Sequence, residues 1–194
     1  NRSLKISRKM WDEKLLSTST RNTGAIITVI KKKICMLGSF AVGKTSLVQQ
    51  FVSSIFSEKY HTTIGVKIDK KIVTVNDQDV TLLLWDIHGE DDYQRVQASY
   101  LLGAAGYFIV IDGTRKNTIP VGKKLQRFAE ENLSDIPFVV LINKSDLVDE
   151  WEIEDQEMDN LEKDGWVIRK TSAKTGEGVE EAFIELTNML IANK

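Results

Sequence analysis

One glycine-rich stretch carries residue types that bind phosphate. The residues GSFAVGKT, Gly38 to Thr45, satisfy the pattern G-x-x-x-x-G-K-[ST] and are called the P-loop below. The apolar run ICML precedes them, and the helical periodicity of TSLVQQFV follows. In this setting backbone N–H groups converge on phosphate oxygens, Lys44 reaches the β and γ phosphates, and the Thr45 hydroxyl binds Mg²⁺. The stretch predicts a nucleotide-phosphate site formed by Ser39, Phe40, Ala41, Val42, Gly43, Lys44, Thr45 and Ser46.

A second stretch has the chemistry to select a base. NKSD, Asn143 to Asp146, follows the apolar run FVVLI, and open α/β sheets bind ligands at that end of their strands. A carboxylate there accepts hydrogen bonds from guanine N1–H and N2–H₂, whereas adenine offers neither donor. TSAK follows the strand-like WVIR, and its Ala173 N–H can meet guanine O6. Alone, NKSD also suits a strand-end turn and TSAK a helix N-cap. After the P-loop, they predict a guanine site formed by Asn143, Lys144, Asp146, Ser172, Ala173 and Lys174.

Two further stretches supply candidates for a metal and for the terminal phosphate. In WDIHGED, Asp86 ends a strand and can hold Mg²⁺ through water, while the Gly89 N–H can bind a γ-phosphate oxygen. In HTTIG, Thr63 can ligate Mg²⁺ only when a γ-phosphate draws the loop in. Alone, Asp86 equally suits a solvated strand end, and HTTIG predicts nothing. With the P-loop, these stretches predict Thr45, Thr63 and Asp86 as metal ligands.

The elements that must position these residues alternate along the chain. From Ile34 onward, short apolar runs alternate with amphipathic stretches, which predicts a mostly parallel α/β sheet with helices on both faces. VKIDKKIVTVNDQDVTLLLW predicts a hairpin and hence one antiparallel edge strand. Helices are predicted over Val121 to Asn132, Trp151 to Lys163 and Val179 to Asn193.

Composition excludes several classes of protein. With 42% hydrophobic residues, 28% charged residues and a net charge of −2, the chain has no global attraction to nucleic acid or anionic membrane. The single cysteine, Cys35, rules out an internal disulfide. No apolar run approaches the ~20 residues of a membrane span. We therefore expect a cytoplasmic protein that does not bind nucleic acid.

Residues 1–30 differ from the remainder, which we assign to one domain over residues 31–194. They hold six basic and two acidic residues with a broken apolar stripe. Such a segment is either an inert tail or a basic amphipathic helix in weak contact with a membrane surface or a partner. The chain starts without methionine, as a processed fragment would, and its final IANK has no prenylatable cysteine. We therefore expect no lipid anchor in this chain.

In this order and spacing, the motifs resemble the Ras superfamily of small GTPases over residues 32–193. HTTIGVKI, LLLWD and KTSAKTGEGVEEAF are most similar to the Rab branch. The lack of a prenylatable cysteine at the C-terminal end is consistent with a prokaryotic relative, a cytosolic member or a truncated chain. The resemblance implies a six-stranded sheet with five helices, GTP and GDP binding, and Mg²⁺. It also implies two switch segments, switch I over about Phe56 to Lys67 and switch II over about Asp86 to Ser99.

The resemblance assigns further residues to the base and to protein partners. Phe56 matches the aromatic residue that packs on guanine. Ile68, Trp85 and Tyr100 match the hydrophobic triad through which Rab-like proteins meet effectors and regulators. Plain packing between the strands and switch II explains that triad equally well.

Three residues depart from the family pattern. Glu90 replaces the glutamine that orients the attacking water. An ionised glutamate cannot donate a hydrogen bond, and its charge would face the γ-phosphate, so the change either slows turnover or leaves room for a different base. Phe40 replaces a small residue, and its ring can crowd an arginine supplied by another protein. His88 replaces alanine and either orients water, adds charge or simply fills its loop. The predicted catalytic residues are Lys44, His88, Gly89 and Glu90.

Together these features predict a molecular switch that slowly hydrolyses GTP. One alternative is a guanine-nucleotide-binding interaction module with little hydrolysis, which the changes at Glu90 and Phe40 favour. Another is a P-loop ATPase or nucleotide kinase, against which Asp146 and Ala173 argue.

Overall fold

Six strands form one sheet in the computed structural model, which describes residues 30–57, 65–89, 96–133 and 135–192. The spatial order is β2-β3-β1-β4-β5-β6. Neighbouring strands pair in parallel except β2 with β3, which are antiparallel. The predicted mostly parallel sheet with one antiparallel edge strand is confirmed. The strands are β1 Ile30–Gly38, β2 Val66–Val75, β3 Gln78–Ile87, β4 Gly106–Asp112, β5 Phe138–Asn143 and β6 Ile168–Thr171.

Helices cover both faces of this sheet, as the strand–helix alternation predicted. Successive side chains of β1 point to opposite faces. Ile34 and Met36 pack with residues of α1 and α5, whereas Cys35 and Leu37 pack with residues of α3 and α4. On the first face, Phe183 of α5 stacks on Phe51 of α1 with 4.0 Å between ring centroids. The helices are α1 Lys44–Ser53, α2 Ala98–Leu101, α3 Thr118–Asn132, α4 Asp155–Lys163 and α5 Val179–Ala192.

Two helices begin at residues that differ from the prediction. Helix α3 begins at Thr118 rather than Val121, because Pro120 lies in the first turn, where a helix does not need the missing N–H. Helix α4 begins at Asp155 rather than Trp151. Residues 148–150 form a separate 3₁₀ turn, and the Glu154 N–H donates to the Glu157 side chain at 3.1 Å, which starts α4 there.

The parallel topology places the carboxyl ends of five strands at one edge of the sheet. Strands β1, β3, β4, β5 and β6 all run in the same direction. In register, Asp112 of β4 lies beside Asn143 of β5, which lies beside Thr171 of β6. This edge is where open α/β sheets bind ligands. It brings the P-loop, Asp86, NKSD and TSAK to the same side of the molecule.

The proposed division into an extension and a domain stays a prediction. Of the predicted extension over residues 1–30, the described residues include only Ile30, the first residue of β1. Within the described ranges, no helix combines the length and the apolar character needed to cross a bilayer.

Candidate functional site

The P-loop connects β1 to α1 through left-handed backbone at two residues. Ala41 has φ 60° and Gly43 has φ 99°, and Lys44 begins the helix. A Cβ atom on Gly43 would lie 2.3 Å from the Asn143 Nδ2 atom, so this position requires glycine. The P-loop and the NKSD stretch are therefore in direct contact.

Lys44 lies under the loop that it closes. Its side chain is buried, and its ammonium group donates to the carbonyl oxygens of Gly38 at 3.1 Å and Ser39 at 2.9 Å. Burial lowers the pKa of Lys44 to about 8, although the nearby Asp86 carboxylate favours the charged form. An anion beside Lys44 would favour the charged form of this buried amine.

The two predicted metal ligands that the structure describes lie in contact. The Thr45 hydroxyl donates to the Asp86 carboxylate at 2.6 Å, although the two residues are 41 positions apart. Asp86 is fully buried at the end of β3. A hydroxyl and a carboxylate are hard oxygen donors, and Mg²⁺ in phosphate sites is held by one or two such groups plus phosphate oxygens. This donor set fits Mg²⁺; Thr63, the third predicted ligand, lies outside the described residues.

Gly89 approaches the P-loop so closely that a side chain would not fit. A Cβ atom there would lie 2.5 Å from the Phe40 Cα atom and 2.7 Å from the Phe40 nitrogen. The beginning of switch II therefore rests directly on the backbone that would surround the phosphates. Glu90, the predicted water-orienting residue, lies outside the described residues.

His88 is buried and joins the ends of the two predicted switch segments. Its backbone N–H donates to the Gly65 carbonyl at 3.0 Å, and its Nδ1 atom lies 3.1 Å from the same oxygen. The Tyr100 ring meets the imidazole edge-on, with 6.2 Å between centroids. This geometry favours a role in holding residue 65 against switch II.

The predicted base site is assembled around the Asn143 side chain. Its Nδ2 atom donates to the Val42 carbonyl at 2.9 Å, and its Oδ1 atom accepts from the Ala173 N–H at 3.1 Å. The Ser172 hydroxyl donates to the Asp146 carboxylate at 2.6 Å, which fixes that carboxylate. The Ala173 N–H, predicted for guanine O6, already has an acceptor, so a base would have to share it or displace it.

Asp112 is a site residue that the motifs did not reveal. Its buried carboxylate accepts from Lys144 Nζ at 2.6 Å, Arg115 Nε at 2.7 Å and the Thr114 hydroxyl at 2.7 Å. Burial alone would raise the pKa of Asp112, but these donors outweigh it and hold the pKa below its usual value. Its one signal in the sequence is its position at the end of the buried strand YFIVID, which meets the same edge of the sheet.

Arg115 is a second residue that sequence reasoning missed. Besides Asp112, it binds the P-loop, because its Nη2 atom donates to the Phe40 carbonyl at 2.8 Å. This pairing joins residues 75 positions apart. It depends on the path of the chain after β4, which no motif predicts.

The remaining predicted nucleotide-binding residues lie in or near the same loops. Ser39, Val42 and Ser46 belong to the P-loop and the first turn of α1. Phe56 is partly exposed, three residues beyond the end of α1, and Lys174 is exposed directly after Ala173.

The predicted effector triad is brought together in part. Ile68 lies directly opposite Trp85 in the β2–β3 ladder and is 52% exposed. Trp85 and Tyr100 pack against the same hydrophobic cluster. The Lys33 ammonium lies 3.4 Å from the centre of the Trp85 ring, a cation–π contact. The exposure of Ile68 suits an effector surface, and the contacts of Trp85 and Tyr100 suit packing, so both interpretations remain.

Comparison with known proteins places this arrangement in a family. The model of the Ras family matches residues 33–192, which is most of the chain and includes the P-loop, NKSD and TSAK. The chain is also 30% identical over 161 residues to the Ras-related protein Rab-4 of Dictyostelium discoideum, covering 82% of this chain and 78% of that protein. The chain therefore belongs to the Ras family and is a Rab-like small GTPase.

Proposed function

We propose that this GTPase is a switch that slowly hydrolyses bound GTP to GDP and phosphate in the presence of Mg²⁺. Loss of the γ-phosphate would then rearrange its two switch segments. The slow rate is attributed to Glu90. Family membership supports a guanine-nucleotide switch, and the residues of this chain supply the finer proposal.

The observation that carries the proposal is the hydrogen bond from Thr45 to Asp86 at 2.6 Å. It joins the first turn after the P-loop to the end of β3, beside the buried Lys44. A hydroxyl, a carboxylate and a lysine that converge at a P-loop are the groups that hold Mg²⁺ and phosphates in P-loop enzymes. Mg²⁺, when bound there, would neutralise charge on the phosphates.

The roles of the residues follow from their positions. Lys44 and the backbone N–H groups from Ser39 to Ser46 would stabilise negative charge on the transferring phosphoryl group. Asp146, fixed by Ser172, would accept the guanine donors, and Lys144, held by Asp112, would flank the base. Gly89 would place an N–H near the γ-phosphate because it rests on Phe40. Thr63 would complete the metal site in the GTP state, and Phe56 and Lys174 would cover the base.

A second candidate is an interaction module that binds guanine nucleotide and hardly hydrolyses GTP. Phe40 favours it, because the ring is 38% exposed at the P-loop, where it can crowd an arginine supplied by an activating protein. Glu90 also favours it, because an ionised glutamate cannot donate the hydrogen bond that the usual glutamine offers the attacking water. In that case the function of the protein would be to bind partners, without hydrolysis of GTP.

A single-turnover experiment separates the two candidates. The chain is loaded with GTP, and phosphate release is followed with Mg²⁺ and with a chelator. Slow release that requires Mg²⁺ and is lost in Thr45→Ala supports the enzyme. The matched control is Thr74→Ala, which removes a similar threonine-to-aspartate bond of 2.8 Å to Asp79 in the exposed β2–β3 hairpin. Tight GTP binding without release supports the module.

Partners and location complete the proposal. Effectors and regulators would bind at the switch segments through Ile68, Trp85 and Tyr100. Residues 1–30 would add weak contact with a membrane surface, because they are basic and partly apolar. We place the protein in the cytoplasm and assign it no nucleic-acid partner.

A further inference from the structure

We propose that Arg115 is a positioning residue of the phosphate site. Arg115 holds the P-loop at Phe40 and thereby keeps Gly89, at the start of switch II, in the position that hydrolysis needs. This inference rests on the proposed GTPase function and adds a residue to it. The guanidinium donates to the Phe40 carbonyl at 2.8 Å, and the Arg115 side chain is 38% exposed.

Arg115 is itself held by a buried anchor. Its Nε atom donates to the Asp112 carboxylate at 2.7 Å, and the same oxygen pairs with Lys144 at 2.6 Å. Asp112 is fully buried at the end of β4, the strand directly beside β5, whose last residue is Asn143 of the NKSD stretch. Charge-assisted bonds to a planar guanidinium fix direction as well as distance. The sheet therefore holds one side of Arg115 and presents the other side to the P-loop.

Phe40 transmits this restraint to switch II. Its carbonyl accepts from Arg115, while its nitrogen and Cα atoms lie where a Cβ atom on Gly89 would be only 2.5 to 2.7 Å away. Phe40 is thus fixed between Arg115 and Gly89. A displacement of Phe40 would shift Gly89, and misplacement of a reacting group by about 1 Å can cost about 100-fold in rate.

The charge of Arg115 also reaches the phosphate pocket. Lys44 donates to the Gly38 and Ser39 carbonyls, and Arg115 donates to the carbonyl of the next residue, Phe40, so the two cations bind successive residues of the P-loop. Two cations that repel each other at the P-loop both become more favourable when an anionic phosphate lies there. Arg115 should therefore matter more to the triphosphate state than to the empty protein.

The test compares Arg115→Ala and Arg115→Lys with the matched control Arg169→Ala. Arg169 makes the same kinds of bond, one to a backbone carbonyl at 2.6 Å and one to the Glu185 carboxylate at 2.5 Å, on β6 at the protein surface. Three quantities are measured: the single-turnover rate of GTP hydrolysis, the dissociation rates of GDP and of a non-hydrolysable GTP analogue, and the thermal midpoint.

We expect Arg115→Ala to lower the single-turnover rate at least about tenfold. Arg115→Lys should lower the rate less, because lysine keeps the positive charge but lacks the planar guanidinium that donates to two acceptors at once. GDP dissociation should change less than dissociation of the GTP analogue. Arg169→Ala should leave the rate within about twofold, even where both variants lower the thermal midpoint alike. Equal rates in Arg115→Ala and Arg169→Ala would overturn the inference.

The native chain separates failure of this inference from failure of the proposed function. If it binds GTP without hydrolysis, the enzyme proposal fails, and the dissociation rates decide the role of Arg115. Release of the GTP analogue that is at least about fivefold faster from Arg115→Ala than from Arg169→Ala would support a positioning role. Equal release would overturn it, and a native chain that does not bind GTP would overturn both proposals.

Discussion

The side-chain amide of Asn143 donates to the Val42 carbonyl at 2.9 Å and so joins the base site to the P-loop. The bond spans 101 positions of sequence and lies in the buried interior of the site. A Cβ atom on Gly43 would lie 2.3 Å from the same Nδ2 atom, so the two loops have no spare room between them. Binding at the base and binding at the phosphates should therefore depend on each other.

This contact predicts a severe effect of Asn143→Ala on nucleotide retention. The substitution leaves the Val42 carbonyl and the Ala173 N–H without their partner, at a cost of about 1–3 kcal/mol for each buried group. We expect GDP to dissociate at least about 100-fold faster, as measured by release of a fluorescent analogue. The control is Asn132→Ala, which removes an exposed amide-to-carbonyl bond of 2.8 Å on α3. Similar release from both variants would contradict the coupling.

Gly89→Ala should discriminate between nucleotide states. The added Cβ atom would lie 2.5 Å from Phe40 Cα, so the start of switch II must move away from the P-loop. If the Gly89 N–H binds the γ-phosphate, the affinity for a GTP analogue should fall at least about tenfold, whereas GDP binding should change little. Titration calorimetry with both nucleotides measures this. An equal loss for both nucleotides would instead indicate general damage to the P-loop.

Nucleotide binding should take up a proton at mildly alkaline pH. Burial lowers the pKa of Lys44 to about 8 in the free protein, so the amine is charged below that pH and loses its proton above it. A bound phosphate favours the charged form, so affinity should fall as pH rises above about 8. Calorimetry in buffers of different ionisation enthalpy should find about half a proton taken up per GDP at pH 8, and about a tenth at pH 7. Heats independent of the buffer at both pH values would contradict this assignment.

Asp112 should be important for stability through its charge. Asp112→Asn leaves Lys144 and Arg115 beside a neutral group; because both are partly exposed to solvent, we expect a loss of about 1.5–3 kcal/mol, the usual value of hydrogen bonds to a charged group. Since the pKa of Asp112 is lowered in the folded state, the carboxylate stabilises the protein above its unfolded pKa, and this contribution is lost as pH falls through the folded pKa. The stability difference between native and variant should therefore be constant near neutrality and shrink below about pH 4.

Urea unfolding measures this difference, with Asp164→Asn as the control. Asp164 pairs with Lys123 at 3.0 Å on the surface, where both side chains are exposed. Such a pair contributes only about 0–1 kcal/mol. Equal losses in the two variants would show that the charge of Asp112 is not a structural anchor.

The parts of the fold and of the site that the sequence predicts depend on short, local stretches of residues. The strand ends and the positions of the P-loop and NKSD could be predicted from the sequence, because parallel strands bring their carboxyl ends to one edge of the sheet and the motifs lie at those ends. The roles of Asp112 and Arg115 could not, since Arg115 meets Phe40 only through the path of the chain after β4. The hydrogen bond from the Ala173 N–H to Asn143 was also missed, because it depends on how two loops pack.

The most direct test of the account is single-turnover hydrolysis of bound GTP with Mg²⁺ in the native chain, in Glu90→Gln and in His88→Ala. The account predicts slow hydrolysis in the native chain and at least about tenfold faster hydrolysis in Glu90→Gln, because the amide can both donate and accept hydrogen bonds. His88→Ala should slow hydrolysis because it removes the Nδ1 contact to the Gly65 carbonyl and leaves only the backbone N–H bond to hold Gly65. Asp91→Asn controls for the loss of a neighbouring charge and should change little. No hydrolysis in the native chain, or an unchanged rate in Glu90→Gln, would contradict the account.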